Sequence, residues 1–229
     1  MDTGNLVWSK DKLSSYTSKQ DSNLINVTGL LNNSSGNIAH MSLSSLALQQ
    51  MWTILATLPG FSFSESIFLD FGCGSGLVIL SALMYPFFKV IGVELDKTSA
   101  SIADANITSF KKNKPNLVCC KDVQILNQDM SSLEFSSIGS RGVKLPTVIL
   151  YMYEPLWTIA KEDAIHIYRN ILTKAKESRR KIIVVYFYSG RYAGDALPVF
   201  EELGSTLLFK APYQTLFFGE FEDLYIYEL

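Results

Sequence analysis

The stretch IFLDFGCGSGLVILSALMYPFFKVIGVELD, residues 67–96, limits what this chain can fold into more than any other. It reads as strand, glycine turn, helix, strand. Residues 67–71 form an apolar run interrupted by Asp70, which suits a strand buried on both faces. Gly72, Gly74 and Gly76 follow at alternate positions. Glycines admit positive φ and remove the Cβ atoms that would keep a ligand off the backbone. The helix opening at about Gly76 aims its free N–H groups into the turn. A second apolar strand, 90–93, ends in Glu94 and Asp96. An acid there, at the carboxyl end of the neighbouring parallel strand, can accept hydrogen bonds from two hydroxyls of a ribose.

Spacing separates the possible nucleoside ligands. A dinucleotide fingerprint is GxGxxG, whose last glycine lets the helix pack close to the strand. Leu77 stands where that glycine would be, and the chain has GxGxG instead, with Asp70 two residues ahead of it. An acid there is useless beside a pyrophosphate and useful beside a cation. S-adenosylmethionine (SAM) has an amino group, a sulfonium and no phosphate. With Glu94 ending the next strand and Gln128-Asp129-Met130 further on, the segment resembles the ligand-binding half of a class I SAM-dependent methyltransferase. It is similar to small bacterial members and to the non-SET lysine methyltransferases.

The resemblance implies an α/β fold: a Rossmann-like, doubly wound, seven-stranded and mostly parallel sheet with an antiparallel C-terminal strand. The methyltransferase domain would be residues 42–229, behind an extension at 1–41. SAM is the implied cofactor and S-adenosylhomocysteine the product. Asp70 and the Gly72 carbonyl would meet the cofactor's amino group, with Gly74 and Gly76 completing the turn. Glu94 would hold the ribose and Leu95 touch adenine. Asp129 would accept from the adenine amino group while the Met130 N–H donates to the ring; Asp129 also reads as the N-cap of a short turn.

Length and charge agree with one such domain. The chain has 229 residues, 48% of them hydrophobic, and a formal net charge of −2. That balance gives no strong nucleic-acid signal. Cys73, Cys119 and Cys120 are an odd count with one adjacent pair, which points to a reducing cytoplasm. His40 and His166 lie far from any cysteine pair, so no metal spacing appears. The polar start lacks a signal-peptide pattern, and no apolar run approaches the ~20 residues of a membrane span.

Along the chain, the Ser/Asn/Thr-rich start reads as a mobile tail or as a docking arm anchored by Trp8, Tyr16, Leu30 and Leu31. Residues 42–58 have helical spacing and stop at Pro59-Gly60. His40 before them is a cofactor-side contact or a surface residue. Helices are expected at 97–112, 161–176 and 197–203, and strands at 123–126, 147–153 and 181–187. Strand segments at 205–210, 215–221 and 224–228 close the sheet. His166 reads as a solvated surface residue, and the cations Lys174, Lys176, Arg179, Arg180 and Lys181 as the charged C-terminal end of a helix, where they suit the macrodipole, with the binding of an anionic partner as the alternative.

The strand at 147–153 delivers Glu154-Pro155-Leu156-Trp157. In the class I fold this strand end faces the methyl group, and amino-methylating relatives have Asn or Asp, Pro, then an aromatic. Glu154 is the candidate for orienting an incoming amine. Tyr151 and Tyr153, on one face of the strand, are candidate walls beside the sulfonium or ordinary core. The expected activity is methyl transfer from SAM to nitrogen, with a protein lysine as acceptor by analogy with the lysine-modifying relatives. A small-molecule acceptor is the alternative within the enzyme class, and a SAM-binding scaffold without turnover the alternative outside it.

Overall fold

A computed structural model describes residues 6–7, 45–139, 145–153, 155–156, 159–188, 195–214 and 221–229. Its centre is one mixed sheet. The strands are β1 (Leu6–Val7), β2 (Ser66–Phe71), β3 (Lys89–Glu94), β4 (Val123–Asn127), β5 (Thr147–Tyr153), β6 (Ile182–Tyr188), β7 (Thr206–Gln214) and β8 (Phe221–Glu228). Their order is β1-β7-β8-β6-β5-β2-β3-β4. The expected seven strands are present, and the two-residue β1 adds an eighth at one edge, parallel to β7. β8 runs antiparallel to β6 and β7; every other pairing is parallel.

The helices are α1 (Ser45–Thr57), α2 (Leu77–Ala82), α3 (Lys97–Asn113), α4 (Lys161–Glu177) and α5 (Leu197–Glu202). Strand alternation explains why they form two layers. Phe68, Ile149, Tyr151, Ile183, Val185 and Phe187 point to one face and pack with Met51, Trp52 and Leu55 of α1, Leu80 of α2 and Ile107 and Phe110 of α3. Leu69, Phe71, Leu150, Met152, Val184 and Tyr186 point to the other, under Tyr168, Ile171 and Leu172 of α4 and Phe200 of α5. β2, β5 and β6 are therefore sandwiched, and their central residues are apolar on both faces apart from Asp70.

Two helix ends have a clear local cause. Gly60, at φ 69°, follows the last turn of α1. Asp96 caps α3 by accepting the Ser99 N–H at 2.7 Å. α4 buries Ala164, Tyr168, Ile171, Leu172 and Ala175, an i, i+4, i+7 stripe, and leaves His166 exposed. α1 is locked to α2 where the Trp52 indole donates to the Ser81 hydroxyl at 2.8 Å. The Trp52 ring also meets Phe68 and Phe87 at centroid distances of 5.0 and 5.7 Å.

The cations at the end of α4 also make contacts beyond their own helix: Arg180 is only 6% exposed and donates to the carbonyls of Gly139 at 2.7 Å and Ser136 at 3.5 Å. Lys174 donates to the Ser131 carbonyl at 3.0 Å, Lys176 to that of Leu203, and Lys181 pairs with Glu228 at 3.0 Å. Three of the helix-end cations thus reach across to orphan carbonyls of neighbouring loops. His40, Trp8, Tyr16 and most of the strand expected at 215–221 lie outside the described residues. No described helix is long and apolar enough to cross a membrane.

Trp52→Ala should destabilise the protein by ~3–5 kcal/mol, the range for deleting a large buried aromatic. Urea unfolding of the variant beside wild type measures it.

Candidate functional site: the glycine turn at the sheet's switch point

β2 lies between β3 and β5, where the strand order reverses, so the crevice beyond its carboxyl end is where an open α/β sheet takes a ligand. The turn occupying that crevice has Gly72, Gly74 and Gly76 at φ 75°, 52° and 85°. A side chain at any of them would be strained, and two are also crowded. A Cβ on Gly72 would lie 3.2 Å from that of Pro155, and one on Gly76 would lie 3.2 Å from that of Ala103. The exit of β5 and the face of α3 therefore close on the turn from two sides.

The turn is pinned to β3. The N–H groups of Gly72 and Cys73 both donate to the Val93 carbonyl, at 2.9 and 3.1 Å. Glu94 spans the gap with both oxygens: Oε2 accepts the Gly74 N–H at 2.9 Å and Oε1 accepts the Asp96 N–H at 2.8 Å. Each oxygen keeps a second lone pair. Gly92 makes room beneath: a Cβ there would stand 2.7 Å from the Cys73 sulfur and from Ile125. The Cys73 thiol fills that notch, and burial, then the charges of Asp70 and Glu94, hold it protonated.

Asp70 is the anomaly. It is 2% exposed, its Oδ2 has no hydrogen-bond partner, and its register neighbours on the same face are Gly92 and Tyr151. Burial, with the nearby Glu94 charge adding to it, pushes its pKa up to about 8. A buried carboxylate without a partner is costly, and a cation placed against it removes the cost. The donor set fits SAM: Asp70 toward an ammonium, Glu94 toward ribose hydroxyls, glycines that let the ligand approach.

The side of the crevice toward β4 is less enclosed. Leu95 is 70% exposed, and the loop carrying it is held by the Asn127 amide, which donates to the carbonyls of Glu94 and Leu95, each at 2.9 Å. Asp129 does cap the short turn Met130–Ser132: its Oδ1 accepts the Ser131 N–H at 2.8 Å. Its exposed carboxylate and half-buried Met130 lie just beyond the end of β4.

Tyr151 and Tyr153 separate. Tyr151 is fully buried, with ring centroids 5.9 Å from Phe68 and 5.8 Å from Phe187. Tyr153, at the end of β5, is half-buried and meets Phe187 at 6.0 Å. Glu154 and Trp157 lie outside the described residues. The contacts of Asn106, Asn127 and Gly92 are not among the expectations from sequence. Asn127, closing a predicted strand beside the acidic end of the previous one, carried a usable signal; the other two carried none.

A family model described as ribosomal protein L11 methyltransferase (PrmA) matches residues 41–183, more than half of the chain. The chain belongs to this family. It is therefore a methyltransferase, with SAM as its cofactor. No curated protein matches it in sequence. Among solved structures, magnesium protoporphyrin IX methyltransferase from Synechocystis PCC 6803, determined with bound SAM, is 15% identical and superposes with a TM-score of 0.53 over 91% of this chain and 99% of that one. N-methyltransferase NodS from Bradyrhizobium japonicum WM9 is 13% identical, with a TM-score of 0.54 over 80% of this chain and 96% of its own. TrmN from Thermus thermophilus is 18% identical, with a TM-score of 0.54 over 82% of this chain and 50% of its own. At these identities the likeness shows the fold, that of the Rossmann-like methyltransferases.

Two outcomes follow for Asp70. Its raised pKa means that folded protein without ligand binds a proton more tightly than unfolded chain, so this group's contribution to stability falls as pH rises from about 4 to about 8. Asp70→Asn should therefore raise the melting temperature of the ligand-free protein at pH 8 and abolish affinity for S-adenosylhomocysteine. In wild type at about pH 6.5, where a free α-amino group is still protonated, binding that ligand should release up to one proton. Calorimetry in buffers of different ionisation enthalpy measures the release.

Proposed function

We propose that this methyltransferase acts on nitrogen, and that its acceptor is the side-chain amine of a protein lysine. The observation that carries this is the charge of the catalytic end. Among the described residues, the carboxyl ends of β2, β3 and β4 and the first turns of α3 and α4 carry the acids Asp70, Glu94, Asp96, Asp129, Glu162 and Asp163 against the cations Lys97 and Lys161, an acidic balance. The opposite end, where α3 and α4 finish, carries Lys111, Lys112, Lys114, Lys174, Lys176 and Arg179 against Glu177. An acidic rim draws in a cationic acceptor and repels a phosphate backbone. The family's name specifies a protein substrate, which supports a protein acceptor here.

SAM supplies a methyl carbon already activated by positive sulfur. This chain's own residues have three tasks. Asp70 and the Gly72 carbonyl hold the cofactor's ammonium, and Glu94 holds its ribose, with Leu95, Asp129 and Met130 at adenine. Gly74 and Gly76 let the ligand close on the backbone. The incoming amine must be aligned and desolvated, and alignment alone can lower the barrier by about 7–11 kcal/mol. It must also be neutral, so an ammonium of ordinary pKa ~10.4 first gives up a proton to water or to a nearby carboxylate. Glu154 is the residue assigned to orient that amine, on the strength of its place in the chain: Tyr153 before it ends β5, and Pro155 after it touches the glycine turn. Tyr153 serves as a wall of the acceptor site; the burial of Tyr151 favours a supporting role behind it. The pairing of β1 with β7 supports treating residues 1–41 as an extension attached to the domain at 42–229.

Incubation with tritiated-methyl SAM should label a lysine-rich peptide or protein fraction; label confined to RNA or to small molecules would overturn the reading. Glu94→Ala should weaken S-adenosylhomocysteine binding by at least about tenfold, since it loses two hydrogen bonds to a charged group. Glu154→Ala should leave that binding within about twofold and lower kcat by about 10–100-fold, a loss in the range of general acid–base and alignment effects.

A further inference from the structure

We propose that Asn106 is a positioning residue for the cofactor turn, an inference that rests on the reading of that turn as the SAM site. Asn106 is half-buried on α3, and its Nδ2 donates to the Ser75 carbonyl at 3.0 Å across 31 positions of sequence. Three residues earlier on the same helix face, Ala103 is small enough to let Gly76 lie against it.

The bond matters because of what surrounds it. The Ser75–Gly76 peptide is flanked by Gly74 and Gly76, both at positive φ. Glycine visits several regions of φ/ψ at little cost, so a peptide set among glycines can rotate unless something holds it. This one is held at both ends: its N–H donates to the Cys73 carbonyl at 2.8 Å, and its carbonyl accepts from Asn106. α3 is in turn fixed by its Asp96 cap, and the Asp96 N–H is bound to Glu94, whose other oxygen holds Gly74. The chain of contacts therefore closes on itself, from Gly74 through Glu94, Asp96 and α3 to Ser75. Glu94 holds the front of the turn and Asn106 the back. Only a donor satisfies the Ser75 carbonyl; a carboxylate in the same place would repel it and favour the rotated peptide.

Asn106→Asp tests this, because it keeps the shape and removes the donor, and Asn106→Leu removes the donor without adding repulsion. The KM for SAM and the Kd for S-adenosylhomocysteine should rise about five- to tenfold in the aspartate variant, the worth of one hydrogen bond, and less in the leucine variant. kcat at saturating SAM should change less than about twofold, because the chemical step is untouched once the cofactor is seated. Amide exchange at Gly74 and Gly76 in ligand-free protein, faster in the aspartate variant, reads the turn without the cofactor. Unchanged exchange together with unchanged affinity would overturn the inference, as would losses of kcat and affinity that simply follow a fall in melting temperature. Wild type that fails to bind S-adenosylhomocysteine, beside a variant with faster exchange, would overturn the cofactor reading and leave Asn106 as the residue that holds the turn.

Discussion

The contact on which the site depends is Glu94 bridging the end of β3 to the N–H of Gly74. Three left-handed glycines in five residues give the backbone a path that no other sequence could follow without strain, and also the freedom to leave it. Folding a stretch of that kind costs more conformational entropy than folding ordinary chain. Two amides on the Val93 carbonyl, one carboxylate and one amide side chain supply the restraint that the glycines themselves lack. Because Glu94 also holds Asp96, and Asp96 caps α3, the same carboxylate ties the start of a long helix to the turn.

The fold was legible because its signals are periodic and redundant. β2, β5 and β6 are near-continuous apolar runs, the pattern of strands covered on both faces, and α4 repeats its buried positions with helical spacing. The edges of elements were less legible, since the last residues of β6 and β4 pair with neighbours whose register no local pattern encodes. The glycine turn was readable for a different reason. Alternate glycines after a buried strand have few uses, and an acid inside an apolar run must have a partner to justify it.

What escaped the sequence are contacts made across it. Arg180 looks like one of five cations at a helix end, yet its guanidinium folds inward onto the loop carrying Ser136 and Gly139. Asn106 is an ordinary residue in an amphipathic helix until the turn 31 positions earlier is seen beside it. Gly92 reads as a weak point in a strand, when it is the space that the Cys73 side chain occupies. Each is a pair whose members are unremarkable alone. Tyr151 shows the reverse: a polar aromatic at the functional strand end suggests a site residue, and packing between Phe68 and Phe187 is what it does in this structure.

Asp70 joins the stability of the protein to its chemistry. In the ligand-free protein its carboxyl stands in the apolar centre of the sheet with Oδ2 unpartnered, next to a second acid that makes ionisation harder. An apolar residue of similar size would make a more stable domain. The arrangement makes sense if the missing partner arrives with the ligand: a cationic amino group would stabilise the ionised form, offset the desolvation of the carboxylate and fix the methionine end against the turn. Affinity for the donor and cost to the empty fold are thus two consequences of one buried charge.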